Sequence, residues 1–262
     1  DRAAVARIVS ELDALPLALE LAASRLGVMS PQALAHRLGN RWEILRRQGT
    51  DRHATLEAAI GWSLDLLPPW AKATLAGCTV FRGGFSLDAA EAVLLPPKSD
   101  GAPPLLDVLQ LLRAEALLDA REPAELPGEV RLSLQESVRL LAERSLEPEA
   151  RARLEERHAA SFATAAEAWA REVELRGSPE ARAHIELERA NLVAVVERIL
   201  GRGDVSARAA DRALRVLVAI GPVLVREGGA AQLEAHLETA LAVAQGSGAD
   251  PRLQARALAL RG

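Results

Sequence analysis

The chain has 262 residues, of which 49% are hydrophobic and 26% charged, with 14 prolines, 18 glycines and a formal net charge of −4. This apolar fraction excludes a disordered chain, and the proline and glycine counts exclude collagen-like and low-complexity classes. The small net charge gives no electrostatic sign of nucleic-acid or membrane binding.

Residues 1–50 are predicted to form a helical bundle. Apolar residues recur there at helical spacing. Pro16 separates the first two helices, because an interior proline removes a backbone donor and clashes with the preceding turn. Ser30 and Pro31 begin a third helix as N-cap and first helical residue. The predicted helices are 1–13, 17–26 and 31–38.

Residues 51–149 are predicted to form a second region, in which helices precede two short strands. A turn rich in proline and glycine separates those strands, 116–121 and 129–134. Three helices followed by a two-stranded wing is the element order of a winged helix. The predicted helices are 54–67, 68–77, 86–95, 104–116 and, after the wing, 136–146.

Residues 150–262 are predicted to form helical hairpins of an α-solenoid. The breaks between these helices are short and rich in glycine, proline or aspartate, which favours antiparallel neighbours. The predicted helices are 150–176, 180–200, 205–227, 230–245 and 251–261. The fold class is therefore predicted to be mainly α: helical bundle, winged helix, then solenoid.

One tetratricopeptide-like period, about 34 residues long, fits the later solenoid helices. Gly221 is expected where two helices approach closely, because a side chain there would hold them apart. Leu233 departs from the pattern, which has a small residue at that place. The predicted packing residues are Leu217, Ile220, Gly221, Leu224, Leu237, Ala240 and Leu241.

No motif for catalysis or metal binding is present. The five histidines lack paired metal-ligand spacing and are predicted to face solvent or cap helices. Glu155 and Glu156 are expected to pair with arginines of their own helix. Neither a phosphate-binding Gly-x-x-x-x-Gly-Lys-Ser/Thr loop nor a dinucleotide-binding glycine turn occurs. We predict that this chain is not an enzyme and holds no metal or cofactor of its own.

The single cysteine, Cys78, permits no internal disulfide and is compatible with a reducing cytoplasm. It is expected to be a small buried core residue. The longest apolar run, Val216 to Val225, has about half the length of a bilayer span and is predicted to be a buried helix. A cytoplasmic location without a membrane partner is therefore expected.

The helix before the predicted wing is a poor candidate for reading DNA. A helix in the major groove needs side chains that neutralise phosphates and read base edges. This one offers Asp107, Gln110, Arg113 and Glu115, and the wing is also acidic on balance. No direct nucleic-acid partner is expected for this chain.

Five segments in chain order resemble the signature segments of one family. The first is Leu12 to Ala23 (LDALPLALELAA), in which Ala14 replaces the glycine of a Gly-Leu-Pro-Leu motif. The others are 52–67 (RHATLEAAIGWSLDLL), 81–92 (FRGGFSLDAAEA), 131–142 (RLSLQESVRLLA) and 184–200, the last resembling a helix that leads into tetratricopeptide repeats. The family is the signal-transduction ATPases with numerous domains, of the NB-ARC-like kind found in bacterial regulators.

The resemblance implies that a longer parent protein binds ATP or ADP in an upstream domain that this chain lacks. Leu15 and Pro16 would then lie against the adenine, although a helix break needed only for packing explains the same residues. The family's Met-His-Asp position falls on Leu134, Gln135 and Glu136. Gln135 would replace a phosphate-binding histidine with a weaker neutral donor, and Glu136 would lie near the positive end of its helix.

By this resemblance the chain is the regulatory middle of a nucleotide-dependent signalling switch, and a transcriptional regulator is expected. The output domain outside the chain could be a DNA-binding domain, a protein kinase or a nucleotide cyclase. Its partners would be other domains of the same polypeptide and a protein or small-molecule ligand on the repeats. Two alternatives stay open. One is a helical scaffold without nucleotide dependence, and the other is a winged helix that binds DNA directly.

Overall fold

The computed structural model describes residues 2–12, 14–46, 52–94, 101–202, 205–226, 229–247 and 250–261. Across these ranges the chain is a succession of α-helices with one small sheet. The predicted mainly α fold class is confirmed. No helix within the same ranges is long and apolar enough to cross a bilayer.

Residues 2–12, 14–46 and 52–78 contain five helices where the structure describes them, and a 3-10 turn follows the second of them. Three of the five begin at a proline, whose fixed φ suits the first helical position. The helices are α1 (Arg2–Glu11), α2 (Pro16–Ser24), α3 (Pro31–Arg46), α4 (Arg52–Leu66) and α5 (Pro69–Cys78).

In the middle of the chain, the described residues 79–94 and 101–147 form three short strands and three helices. Ser86 caps α6, since its hydroxyl accepts a hydrogen bond from the Ala89 N–H at 3.2 Å. The strands form a sheet in the order β1-β3-β2. The elements are β1 (Phe85–Ser86), α6 (Leu87–Val93), α7 (Leu105–Ala114), β2 (Asp119–Arg121), β3 (Arg131–Ser133) and α8 (Glu136–Glu143).

The last part is helical throughout its described ranges. Its helices are α9 (Pro148–Arg176), α10 (Pro179–Leu187), α11 (Arg189–Leu200), α12 (Ala207–Arg226), α13 (Ala230–Ser247) and α14 (Pro251–Arg261). The single helix predicted over 180–200 is wrong, because the chain breaks at Glu188 between α10 and α11. The buried carboxylate of Glu188 is held there by Arg131, far away in sequence. The strand β1 was not predicted, since two residues show no alternation.

The chain divides into two compact units, which we call unit one and unit two. Unit one comprises Asp1–Thr79, Leu95–Ala120 and Leu132–Glu147. Unit two comprises Val80–Leu94, Arg121–Arg131 and Pro148–Gly262. The three predicted regions, 1–50, 51–149 and 150–262, were defined by sequence pattern, whereas the two units are defined by which residues pack together. The three-region division stays a prediction.

Each unit has its own buried core. In unit one α4 packs against both α2 and α8, and α5 packs against α7 and α8. In unit two α9 packs against α6, α10, α11 and α12, and α12 packs against α13 and α14. Large buried side chains include Leu12, Leu21, Leu34, Ile60, Leu75 and Leu112 in unit one, and Phe81, Phe85, Leu192 and Leu214 in unit two.

Candidate functional site

The turn between α1 and α2 carries two of the predicted nucleotide contacts. Ala14 has a φ of +54°, and its N–H donates to the Val9 carbonyl at 3.0 Å. A left-handed backbone costs a residue with a β-carbon roughly 1–2 kcal/mol and costs glycine almost nothing. This preference explains why glycine is favoured at this position in the Gly-Leu-Pro-Leu motif that the segment resembles.

Leu15 and Pro16 form an accessible apolar edge on this turn. Leu15 is extended (φ −72°, ψ 122°) and precedes Pro16, the first residue of α2. Leu15 is half-buried and Pro16 is exposed, whereas Leu12 and Leu17 are buried. The buried side chains of Leu12 and Leu17 therefore anchor the turn in the core, and the ring of Pro16 stays accessible to a flat apolar partner.

The other two predicted contacts begin α8. Gln135 is its N-cap residue, and the Gln135 side chain makes no capping hydrogen bond. Glu136 lies in the first turn, where its charge meets the positive end of the helix. Its Oε2 lies 3.4 Å from Nε of Arg139. The amide of Gln135 is thus uncommitted to its helix, while the carboxylate of Glu136 is paired.

Both candidate pairs lie in unit one, on helices that pack against the same helix, α4. No hydrogen bond or ion pair joins Leu15 or Pro16 to Gln135 or Glu136 in the described ranges. The structure therefore puts the two pairs on different partners of α4 without linking them directly, and their nucleotide contacts stay a prediction.

Cys78, at the end of α5, is fully buried. Burial raises the pKa of its thiol to about 12, against the opposing charge of Arg139. Arg139 itself donates from Nη1 to the Thr79 carbonyl at 2.9 Å. A protonated, buried thiol is neither a nucleophile nor a metal ligand, so the expected core role of Cys78 is confirmed.

The face of α7 that sequence reasoning compared with a DNA-reading helix carries Asp107, Gln110 and Arg113, all exposed. Glu115 is turned to an ion pair with Arg25, which is buried. The exposed face therefore has one acid and one base.

A buried polar cluster in unit two was missed by the sequence analysis. Its centre is the side chain of Asn191, on α11, which uses every hydrogen-bonding capacity of its amide. Oδ1 accepts from the Arg82 N–H at 2.6 Å and lies 3.1 Å from Nε2 of His158. Nδ2 donates to the Gly84 carbonyl at 2.8 Å and to Oε2 of Glu188 at 2.6 Å. Asn191 thereby holds the segment between α5 and β1 against α9 and α11.

His158 is buried in this cluster, so the prediction that the histidines face solvent or cap helices is wrong for it. Burial, together with the positive charges of Arg198 and Arg82, lowers the pKa of His158 to about 3. The hydrogen bond to Asn191 acts in the opposite direction. The imidazole is therefore neutral near pH 7, and Nε2 carries the hydrogen because Asn191 Oδ1 can only accept.

Glu188 continues the cluster to β3. Its Oε1 accepts from Nη1 of Arg131 at 2.6 Å, and both side chains are almost fully buried. A buried ion pair is costly to break from one side, since the remaining charge is left in an apolar surrounding. The pair joins the break between α10 and α11 to Arg131, the first residue of β3.

Gly83 explains how the 81–85 segment comes so close to α11. It has a φ of +75°, and a β-carbon on it would lie 2.9 Å from Cβ of Ala190. Only glycine has both the backbone freedom and the missing side chain that this approach needs.

A sequence signal for this cluster did exist. His158 stands four residues from both Leu154 and Phe162, and all three are buried on α9. Asn191 stands four residues before the buried Val195 on α11. A polar residue on an apolar stripe at helical spacing indicates a buried group with a partner.

The acidic pair on α9 behaves differently from the prediction. Glu155 Oε2 lies 3.4 Å from Nη2 of Arg202, and Glu156 Oε1 lies 2.5 Å from Nη1 of Arg212. Both partners lie outside α9, so the predicted pairing within one helix is wrong. The two carboxylates join α9 to the turn after α11 and to α12.

All seven predicted repeat-packing residues are buried, four of them on α12 and three on α13. A β-carbon on Gly221 would lie 3.5 Å from Cδ2 of Leu233 and 3.4 Å from Cδ1 of Leu260. Leu233, which departs from the repeat pattern, thus occupies the space that Gly221 leaves. The large side chain of Leu233 is accommodated because Gly221 has no side chain. The buried set comprises Leu217, Ile220, Gly221, Leu224, Leu237, Ala240 and Leu241.

Known proteins similar to this chain come from mycobacteria. The chain is 35% identical over 159 residues to one protein of Mycobacterium tuberculosis and one of Mycobacterium bovis, each provisionally named an HTH-type transcriptional regulator. The chain is similar to named bacterial regulators. The matched stretch covers 60% of this chain and only 18% of either relative.

A second type of relative is an uncharacterized Mycobacterium tuberculosis protein, 38% identical over 92 residues, which are 34% of this chain and 23% of that protein. No protein-family model matches the chain. No solved structure matches it either.

Proposed function

We propose that this chain is the regulatory middle of a longer bacterial transcriptional regulator that switches between nucleotide states. In this proposal α1 to α3 end a nucleotide-binding module, α4 to α8 form a winged helix for intramolecular control, and the helices from α9 onward form a tetratricopeptide-like sensor. ATP or ADP binds upstream, and the chain itself is not an enzyme.

The observation that carries the proposal is the turn at Ala14, Leu15 and Pro16. Its left-handed residue stands where the Gly-Leu-Pro-Leu motif has glycine, and Pro16 is exposed at the start of α2. A proline-fixed turn offers a rigid apolar surface that loses little conformational freedom when an adenine ring packs on it.

The relatives support the regulatory part of the proposal, since two of them are named as transcriptional regulators. They also support a longer parent protein, because the matched stretch is a small share of each. The near-neutral exposed face of α7 favours intramolecular control over direct DNA reading, which needs basic side chains.

The sequence test is the coding region of about 300 residues upstream of Asp1, the size of one large domain. The proposal expects a strand followed by Gly-x-x-x-x-Gly-Lys-Ser/Thr and then an acidic strand end. An upstream region without such a loop contradicts the nucleotide switch and favours the helical-scaffold alternative.

The biochemical test uses the full-length product of the gene, purified and assayed for bound adenine nucleotide by chromatography after denaturation. We expect Pro16→Ser to release nucleotide, because it removes the apolar ring. Gln135→Ala should also lower ADP retention without altering the melting temperature. Glu20→Gln, on the exposed side of α2, is the matched control and should retain nucleotide. Equal retention in all three variants would refute the proposed contacts.

A further inference from the structure

A cavity of about 520 Å³ lies within unit two, among α9, α10, α12 and α14. Its volume is in the range of sites for small organic ligands. Most of its wall is apolar, and Pro222, inside α12, adds a rigid ring to that wall. The main apolar lining residues are Val173, Ile185, Ala219, Val223 and Leu260.

The rim of this cavity is positively charged. Arg182, Arg226 and Arg256 line it from three different helices, and Glu174 is the single acid among its lining residues. Arg226 pairs with Glu186, and Nη2 of Arg256 lies 3.4 Å from Oε2 of Glu174. Arg182, in contrast, has no ion-pair partner within the described ranges.

The apolar wall and the unpaired Arg182 together favour a ligand that has an apolar body and a negatively charged group. A neutral apolar molecule would fill the wall but make no use of the exposed guanidinium of Arg182. A cation would be repelled by the three arginines, which outnumber the one carboxylate. An anion on an apolar body satisfies both, because a guanidinium binds carboxylate or phosphate through paired hydrogen bonds.

A second cavity, of about 310 Å³, gives such a body room to extend. It shares the Arg256–Glu174 pair and Ala219 with the first cavity and continues along α12. It also adds Arg171 and the ion pair between Arg215 and Glu167.

We propose that this cavity binds a small amphipathic organic anion, an apolar body with one carboxylate or phosphate group, whose charge is bound by Arg182. This deepens the sensor role proposed above and rests on it for its biological meaning. The test involves no nucleotide, so failure of this site and failure of the nucleotide switch are distinguishable.

The test is displacement of 1-anilinonaphthalene-8-sulfonate, a fluorescent amphipathic anion, from the folded chain. The competitors are decanoate, decyl phosphate and decanol, which share one apolar tail. A charge-assisted hydrogen bond contributes about 1.5–3 kcal/mol, so the better anion should displace the probe at a concentration at least about tenfold lower than decanol. The order of the two anions identifies the head group. Equal displacement by decanol and both anions would overturn the proposal.

Two variants and a control assign the site. Arg182→Gln should remove the advantage of the anions over decanol. Arg153→Gln changes an exposed arginine of α9 that does not line the cavity, and it should keep that advantage. Ala259→Phe fills the cavity from its exposed rim and should abolish probe binding with an unchanged circular dichroism spectrum. Undiminished binding in Ala259→Phe, or an unchanged preference in Arg182→Gln, would place the anion elsewhere and refute the site.

Discussion

The Oδ1 atom of Asn191 lies 3.1 Å from Nε2 of His158 and joins α11 to α9 through two buried polar side chains. The bond fixes which ring nitrogen carries the hydrogen. It also makes the fold depend on a neutral imidazole, because a proton added to this ring would be buried beside Arg198 and Arg82.

Acid should therefore destabilise the chain through His158. The pKa of His158 is about 3 when folded and 6.5 ordinarily, so between these values the unfolded state binds the extra proton. Stability that is present above pH 6.5 is lost as the pH falls towards 3, with a slope of up to about 1.4 kcal/mol per pH unit.

Urea unfolding at several pH values between 4 and 7 (about the range in which a histidine titrates) measures this effect. His158→Gln keeps an N–H donor for Asn191 and removes the titrating group. We expect the variant to be less stable at pH 7 and to lose less stability on acidification. Parallel pH profiles of the variant and the parent chain would show that His158 does not titrate in this way.

Breaking the Arg131–Glu188 pair from one side should be severe. Glu188→Ala leaves the guanidinium of Arg131 buried without its main partner and removes an acceptor from Asn191. The expected loss is about 3–5 kcal/mol in the free energy of unfolding. The double variant Arg131→Met with Glu188→Leu should recover part of it, since apolar replacements carry no unpaired charge. Strictly additive losses in this double-mutant cycle would contradict a direct coupling.

Ala14→Gly should stabilise unit one. Glycine relieves the left-handed backbone at this turn, which costs roughly 1–2 kcal/mol, and loses part of the gain through greater freedom in the unfolded chain. Ala6→Gly, the same chemical change inside α1, should destabilise by about 1 kcal/mol. Thermal unfolding of the two variants should shift in opposite directions, and a downward shift in both would contradict the strain at Ala14.

Gly221→Leu should destabilise unit two through overpacking against Leu233 and Leu260. The matched control is Gly221→Ala, whose β-carbon makes ordinary contacts with both leucines. The leucine variant should be less stable than the alanine variant by about 1–3 kcal/mol. Equal melting temperatures for the two would show that these helices do not pack closely at residue 221.

The sequence predicted most helix boundaries because prolines and glycines act locally, as at Pro16 and Pro179. It did not predict the break at Glu188, whose buried side chain pairs with an arginine 57 residues earlier in the chain. The sequence also could not predict the hydrogen-bond partner of His158, since helical spacing indicates that a residue is buried but not which residues it contacts. The burial of the predicted repeat-packing residues could be predicted because a helix face is periodic, whereas the contact between Gly221 and Leu233 depends on two helices meeting. Their role in a repeat stays a prediction.

The burial of Cys78 gives the chain a built-in unfolding reporter. It is the one thiol of the sequence, and with its pKa raised to about 12 it reacts with Ellman's reagent only when unit one opens. The rate of its modification under native conditions therefore measures the opening free energy of that unit without any introduced label. Variants of His158 or Gly221 that leave this rate unchanged act within unit two alone, so one colour reaction separates local from global unfolding.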